Sequence, residues 1–464
     1  MTPKVHASGL APGVSKAVPP PSGRRQRRAC GRLGAGKPPI EGGTTAESPG
    51  TVILGSGLAG LSAAVRHPGA LVFEATGAAG GLCSSSVVDG FTFDRAGHLW
   101  HLADARVRRT VEAWLGGPLR GHRRRAGVLF RGRLLPYPVQ LALGRMPADA
   151  AAAAGAGLEQ VRVGARPAAG ETFEEACLRR YGEGLTRLFL APYQAKLLGR
   201  APREVLAEPF GRFLPDLSVE AMLASLDGDV GYAGYNATFR DVPGGCGRVG
   251  DALAAATPGL RLESPVSSLD CGDRAVTAGG TTLRYERLVA TLPLPALASL
   301  TVDLPAALRE TAARLRGAAV VVVNLGVAGP PANGLHWVYV PEPAFPFYRV
   351  GSYSSFAPEA APPGCHSLYV ELPAGWWDAR PQAVRVPLVL SALERSGLLG
   401  DSRRVVAAEV VRLDPAYAVL TAESAPVREA LLAWYGARGV VLHGRFARWD
   451  YLAMDDVVAA SLVM

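Results

Sequence analysis

No uninterrupted apolar run approaches the ~20 residues a membrane helix needs. The longest candidate, residues 318–329, is β-branched and reads as a buried strand. The chain is also short of sulfur signals. Its six cysteines, at 30, 83, 177, 246, 271 and 365, include no C-x-x-C pair, and none is spaced with histidines as in a zinc site. No metal is therefore expected, and buried free thiols in a reducing compartment, the cytoplasm, are the default. Glycosidase-type carboxylate pairs, a nucleophile–His–Asp arrangement and internal repeats are likewise missing. Charged residues make up only 19% against 48% hydrophobic, which describes a soluble globular protein. At 464 residues the chain exceeds a single core, so two or three domains are expected.

The net charge of +9 is uneven: residues 1–48 hold eight Lys or Arg against two Glu. Pro, Gly and Ser surround the run Arg24-Arg25-Gln26-Arg27-Arg28, and the segment reads as a disordered basic tail. It lacks the apolar core of a secretory signal. A start codon placed too early is an equally plain reading, and a targeting peptide or a basic arm touching nucleic acid the competing functional ones; the nucleic-acid reading ranks last, so no nucleic-acid partner is expected.

The residues present say more. Positions 52–60 read Val-Ile-Leu-Gly-Ser-Gly-Leu-Ala-Gly, and Glu74 ends the next apolar run. This is a dinucleotide fingerprint: strand 51–54, a G-x-G-x-x-G turn, helix 58–66, strand 70–73 and an acid. Gly55 permits the tight turn, Gly57 lets the backbone approach a pyrophosphate, and Gly60 lets the helix pack on the strand. The helix start then faces phosphates, and Glu74 is placed to accept from ribose hydroxyls. The pair Gly80-Gly81 just beyond is typical of flavoproteins, where the chain turns back along FAD.

The rest of the chain suggests an α/β fold. An FAD-binding Rossmann-like domain would be built from residues 49–102, 241–298 and 426–464. Residues 103–214 read as a helical insertion, with 148–157 a solvated low-complexity helix or loop and Thr172 opening a helix with a capping box. Residues 215–240 read as strands of a substrate domain, and 299–425 as its antiparallel sheet. Short strands at 260–262, 266–269, 275–277 and 282–285 surround a Gly279-Gly280 hairpin turn. An apolar strand at 288–292 returns to the first domain, and the strand 440–442 turns through Gly444-Arg445 into a helix near Met454.

Several motifs then line up in order: the glycine turn, Gly80-Gly81, Phe93-Asp94-Arg95-Ala96-Gly97-His98, Leu135-Pro136-Tyr137-Pro138-Val139-Gln140, Pro192-Tyr193-Gln194-Ala195-Lys196, Gly234-Tyr235-Asn236, Pro346-Phe347-Tyr348-Arg349 and Gly444-Arg445 through Tyr451. The series resembles the UDP-galactopyranose mutase family, within the wider amine oxidase and protoporphyrinogen oxidase-like flavoproteins. The resemblance covers about residues 51–464. It implies a redox-neutral ring contraction and expansion on a nucleotide sugar, in which N5 of reduced FAD attacks the anomeric carbon, with NAD(P)H a candidate reductant.

By the same resemblance, Arg349 and Arg212 would flank a diphosphate, for which the planar guanidinium fork is suited. Tyr339, Tyr417 and Tyr451 would donate to its oxygens and Asn236 to the sugar. Tyr137, Gln140 and Gln194 would surround the uracil. His98 would lie beside the flavin ring, with Gly97 before it. Leu58, Ala59, Ala75, Leu82 and Val266 would complete the FAD contacts. Arg445, Tyr451 and Asp455 of the closing motif would reach its phosphates. His101 reads as a satisfied core histidine. The family's stacking aromatic is Val139 here and its tryptophan is Leu198, which weakens the nucleotide end. The altered end keeps a second reading open, an FAD-dependent oxidoreductase acting on an amine or a reduced tetrapyrrole. Oligomerisation is left open.

Overall fold

The computed structural model describes residues 5–7, 50–162, 168–228, 231 and 237–464. Strand Thr51–Leu54 is apolar with Val52, Ile53 and Leu54 all fully buried. It lies inside a five-stranded sheet ordered Leu260–Arg261, Leu71–Phe73, Thr51–Leu54, Arg287–Ala290, Val440–Leu442, and every pairing is parallel. Burial on both faces explains why the three central strands read as apolar runs. The crossover helix Leu58–Ala64 is two residues shorter than the sequence suggests.

An eight-stranded sheet forms the second layer, ordered Val5–Ala7, Val405–Ala418, Gly317–Ala328, Cys365–Pro373, Arg349–Gly351, Trp337–Tyr339, Ala126–Phe130, Arg133–Pro136. It is antiparallel as expected, except where Val5–Ala7 runs parallel to Val405–Ala418 and Trp337–Tyr339 parallel to Ala126–Phe130. The first of these pairings corrects the reading of residues 1–48 as a wholly disordered tail. The edge of Val405–Ala418 offers unpaired backbone groups, and Val5–Ala7 satisfies them. The arginine run at 24–28 and Cys30 lie outside the described residues.

Residues 103–214 are not wholly helical. After helix Ala105–Leu115 come strands Arg120–Arg123, Ala126–Phe130 and Arg133–Pro136. Arg131 and Gly132, both at positive φ, turn the last two into a hairpin. The helix Ala148–Glu159 is packed rather than solvated: Ala150, Ala154, Gly155, Gly157 and Leu158 are buried. A Cβ on Gly157 would stand 2.7 Å from the Gly184 nitrogen, so small residues let it lie on helix Phe173–Leu185. Thr172 caps that helix with the reciprocal Glu175 bonds of a capping box. The described residues of 215–240, read as strands, hold helix Val219–Ala224 and one strand that ends beyond them, Thr238–Asp241. The excursion Val266–Asp270, Ala275–Ala278, Thr281–Arg284 is a three-stranded sheet turning at Gly279 and Gly280.

No helix of the described residues is long and apolar enough to cross a membrane. Among the same residues no group of three or more His, Cys, Asp and Glu could hold a metal.

Candidate active site

The carboxyl ends of Thr51–Leu54, Arg287–Ala290 and Val440–Leu442 open on one cavity of about 430 Å³, where ligands of open parallel sheets bind. Gly55, Gly57, Leu58, Ala59, Glu74, Gly81, Leu82, His98, Gly444 and Arg445 line it, joined by Thr291–Pro293 and Met454. The glycines have distinct physical roles. Gly55 turns at φ +93°, with Thr291 Oγ1 only 2.6 Å from where a Cβ would be. On Gly60 a Cβ would stand 1.9 Å from the Gly55 carbonyl oxygen, so only glycine lets the helix close on the turn. Gly57 is the reverse: a Cβ there meets no protein atom within 4 Å. The backbone beside Gly57 is thus an open cradle, and the first-turn N–H groups after it have no intrahelical partner.

Gly80 pairs with Gly57 through a parallel bridge, and Gly81 at φ +57° approaches Gly57 so closely that a Cβ would lie 3.0 Å from its Cα. Glu74 faces the cavity, but its carboxylate is already held. Oε2 accepts from the backbone and hydroxyl of Ser56, at 3.0 and 2.9 Å, and Oε1 from those of Thr76, at 3.0 and 2.9 Å.

Other expected cofactor contacts stand elsewhere. Gly60 and Gly80 act behind the turn. Gly97 packs on Tyr369, whose hydroxyl would be 2.7 Å from a Cβ. Ala75 is exposed, Val266 opens the three-stranded sheet, and Asp455 sits in the first turn of helix Met454–Ser461; none of the three lines the cavity.

A second cavity of about 220 Å³ lies beside the first. Tyr137, Gln140, Gln194, Tyr339, Arg349, Tyr417 and Tyr451 line it, all singled out in the sequence. His101 lines it too, which corrects its reading as a core residue; its Nδ1 lies 3.3 Å from the Thr238 carbonyl. The Arg212 side chain and Asn236 lie outside the described residues. Arg445 joins the cavities: its guanidinium sits 4.9 Å from the ring centre of Tyr451 and 5.9 Å from that of Tyr417, and Tyr417 stacks on Tyr451 at 5.5 Å.

Strand register builds the second site. Tyr339 pairs with Arg349 and Arg349 with Glu371, one row on one face across adjacent strands. The sequence reading missed Glu371. Its buried carboxylate accepts from Arg349 Nε and Nη2 at 2.9 and 2.6 Å. Burial opposes the charge on Arg349, but Glu371 holds the guanidinium protonated above its usual range. Arg124 was also missed. It stacks 3.7 Å over the ring of Tyr137 and donates to the Tyr339 hydroxyl at 2.7 Å.

Buried polar atoms here with no hydrogen-bond partner include His98 Nδ1, Gln140 Oε1 and Gln194 Nε2. Native proteins seldom leave such atoms unmet, so they mark where a ligand would bond. Burial, then the charges of Arg445 and Arg349, push the His98 imidazole down to about 4, and it stays neutral at ordinary pH.

The model of the flavin containing amine oxidoreductase family matches residues 58–419. The chain belongs to this family. It is therefore a flavin enzyme, an isomerase or an oxidoreductase, and the family's cofactor is of FAD type. The residues fit that group: an open glycine cradle for a diphosphate, the cation of Arg445, and an unbonded imidazole nitrogen at His98. Among solved structures the chain is similar to a reduced UDP-galactopyranose mutase, at 25% identity and a TM-score of 0.82 over 89% of this chain and 94% of that one. The fold is shared with a putative protoporphyrinogen oxidase from Exiguobacterium sp. 255-15, at 17% identity and a TM-score of 0.68 over 90% and 100% of the two chains. It is shared also with a putrescine oxidase bound to putrescine, at 16% and 0.59 over 89% and 99%.

Proposed function

We propose that this flavoenzyme isomerises a nucleotide sugar in the manner of UDP-galactopyranose mutase. The observation that carries the reading is the second cavity, where Arg349 stands among Tyr339, Tyr417 and Tyr451 next to His98 of the first. A fixed cation ringed by phenol donors suits a diphosphate leaving group, because it holds the departing charge without taking up a proton. The unmet amide atoms of Gln140 and Gln194 suit the donor and acceptor edge of a pyrimidine base. Arg212 and Asn236 would complete the diphosphate and sugar ends. His98, neutral and unbonded at Nδ1, would position the reacting face. A bound flavin, reduced for this reaction with NAD(P)H a candidate donor, supplies a nucleophilic nitrogen. Residues 49–102, 241–298 and 426–464 would serve as the cofactor unit and 299–425 as the substrate sheet.

A different observation favours a second reading. Glu371 neutralises Arg349, so the cavity also accommodates a substrate without phosphate, oxidised at a C–H or N–H bond as in amine oxidases. Titrating the reduced protein with UDP and UDP-galactose separates the two. The mutase reading expects a perturbed flavin spectrum at millimolar UDP, abolished by Arg349→Ala while FAD stays bound. Absence of any UDP response, with bleaching of the oxidised flavin by an amine or a reduced tetrapyrrole, would replace it with the oxidoreductase reading.

A further inference from the structure

Three sulfur atoms meet in the wall of the cofactor cavity, and nothing in the proposed reaction uses them. The Cys83 thiol donates to Met454 Sδ at 3.4 Å, and Cys246 Sγ lies 4.0 Å from the same thioether. The two thiols therefore flank one thioether. Both cysteines are free and buried. Cys83 and Met454 line the cavity, whereas Cys246 stands behind them as the residue that precedes helix Gly247–Ala255.

The backbones are equally close. A Cβ on Gly250 would lie 2.8 Å from the Cys83 carbonyl oxygen, and one on Gly247 would lie 2.5 Å from the Ser85 nitrogen. The glycines of this helix therefore let it rest directly on the chain that carries Cys83. The surroundings favour a neutral product. The Asp94 carboxylate accepts from the Cys246 backbone N–H at 3.0 Å. The Cys246 thiol is held well above its ordinary range by the neighbouring Cys83 thiol, by burial and by the charges around it. A metal complex held by two thiolates would bury further negative charge beside Asp94, whereas a disulfide adds none.

We propose that Cys83 and Cys246 form a reversible disulfide that closes when the cofactor cavity is empty. A soluble disulfide such as oxidised glutathione is the oxidant. Cys83, the thiol that faces the cavity, gives up its proton and attacks one glutathione sulfur, and the first glutathione thiol leaves. Cys246 gives up its proton and attacks the Cys83 sulfur, and the second glutathione thiol leaves. Each leaving thiolate takes up one of the released protons. The protein loses two hydrogens, and the oxidant gains them. The bridge fastens the Gly80–Gly81 turn, which pairs with Gly57, to the start of helix Gly247–Ala255. A bound cofactor covers Cys83 and keeps the pair reduced.

The test uses the full chain, stripped of flavin or reloaded with FAD, and incubated with oxidised glutathione. Intact mass and non-reducing peptide maps are the readouts. The stripped chain is expected to lose the mass of two hydrogens, with one cross-link joining the peptides of Cys83 and Cys246. Dithiothreitol reverses it, and FAD slows it several-fold. Cys246→Ala is expected to trap a glutathione adduct on Cys83. The wild-type map decides the matter without the variant. A folded, stripped chain that keeps its thiols, a bridge between any other pair, or a rate indifferent to FAD overturns the proposal.

Discussion

Arg349 and Glu371 stand directly opposite each other on antiparallel strands, and two guanidinium nitrogens donate to one carboxylate oxygen, Oε1. The carboxylate is 1% exposed and the arginine 22%, so the ligand-facing member of the pair is the cation. The glutamate orients the arginine and also neutralises it. Glu371→Gln keeps an oxygen acceptor but removes the counter-charge. It is expected to leave the fold intact and to tighten UDP binding roughly tenfold, about 1.4 kcal/mol, read by flavin absorbance titration. An oxidisable amine would be bound more weakly by the same variant. Glu371→Ala leaves a buried guanidinium unpaired and is expected to cost about 3–5 kcal/mol in urea unfolding.

Two glycines of one turn make opposite predictions. Gly60→Ala drives a methyl to 1.9 Å from the Gly55 carbonyl, which is backbone and cannot step aside. The helix must lift off the sheet, at a cost of roughly 3 kcal/mol or more. The variant is expected to unfold at markedly lower temperature even without flavin. Gly57→Ala meets no protein atom, and its φ of −68° suits alanine. The flavin-free protein should melt as the wild type does. Its added methyl fills the cradle, so FAD affinity should fall by about 1–3 kcal/mol on the scale of overpacked contacts, measured by fluorescence titration. Equal melting losses in both variants would refute this division of roles.

That contrast also shows what was legible beforehand. The glycine turn, the return strand Arg287–Ala290 and the closing strand Val440–Leu442 could be read because each rule is local: positive φ, close approach, a short apolar run. Glu371 could not be found that way. An acid in an apolar strand acquires meaning only through the register that sets it beside Arg349. Arg124 and His101 were hidden likewise, since their partners Tyr339 and Thr238 are distant in the chain. The strand Arg120–Arg123 was lost because its polar run pairs with residues 238–241 instead of following a core pattern of its own. Helix Ala148–Glu159 was misjudged for the opposite reason: its alanines and glycines look solvated but serve close packing.

His98 gives a pH prediction with a definite sign. Its imidazole is lowered from 6.5 to about 4, first by burial and then by Arg445 and Arg349. Between these values the unfolded chain takes up a proton that the folded chain refuses. Stability therefore rises with pH through that window and is lost as pH falls from about 6.5 to about 4. His98→Asn removes this dependence. Measured on flavin-free protein, the wild type should lose on the order of 2 kcal/mol more than the variant over that interval, a figure held down because the ring is half-buried and opens on the cavity. In turnover, a rate step at pH 6 to 7 that disappears in His98→Asn would contradict a neutral imidazole.

Gln140 separates binding from stability most sharply. It is 1% exposed, and its Oε1 has no hydrogen-bond partner. A buried acceptor left unmet costs about 1–3 kcal/mol in the free protein. Gln140→Leu discards that cost while keeping similar volume, so the variant should be as stable as the wild type or slightly more so. The same change removes an acceptor that a base edge would satisfy, and an unmet donor on the ligand then pays the desolvation penalty. UDP affinity should fall on the order of tenfold or more, while binding of inorganic pyrophosphate, which has no base, should not change. If Gln140→Leu weakened both ligands alike, or destabilised the chain by several kcal/mol in urea, Gln140 would be a framework residue, and the base would have to sit elsewhere.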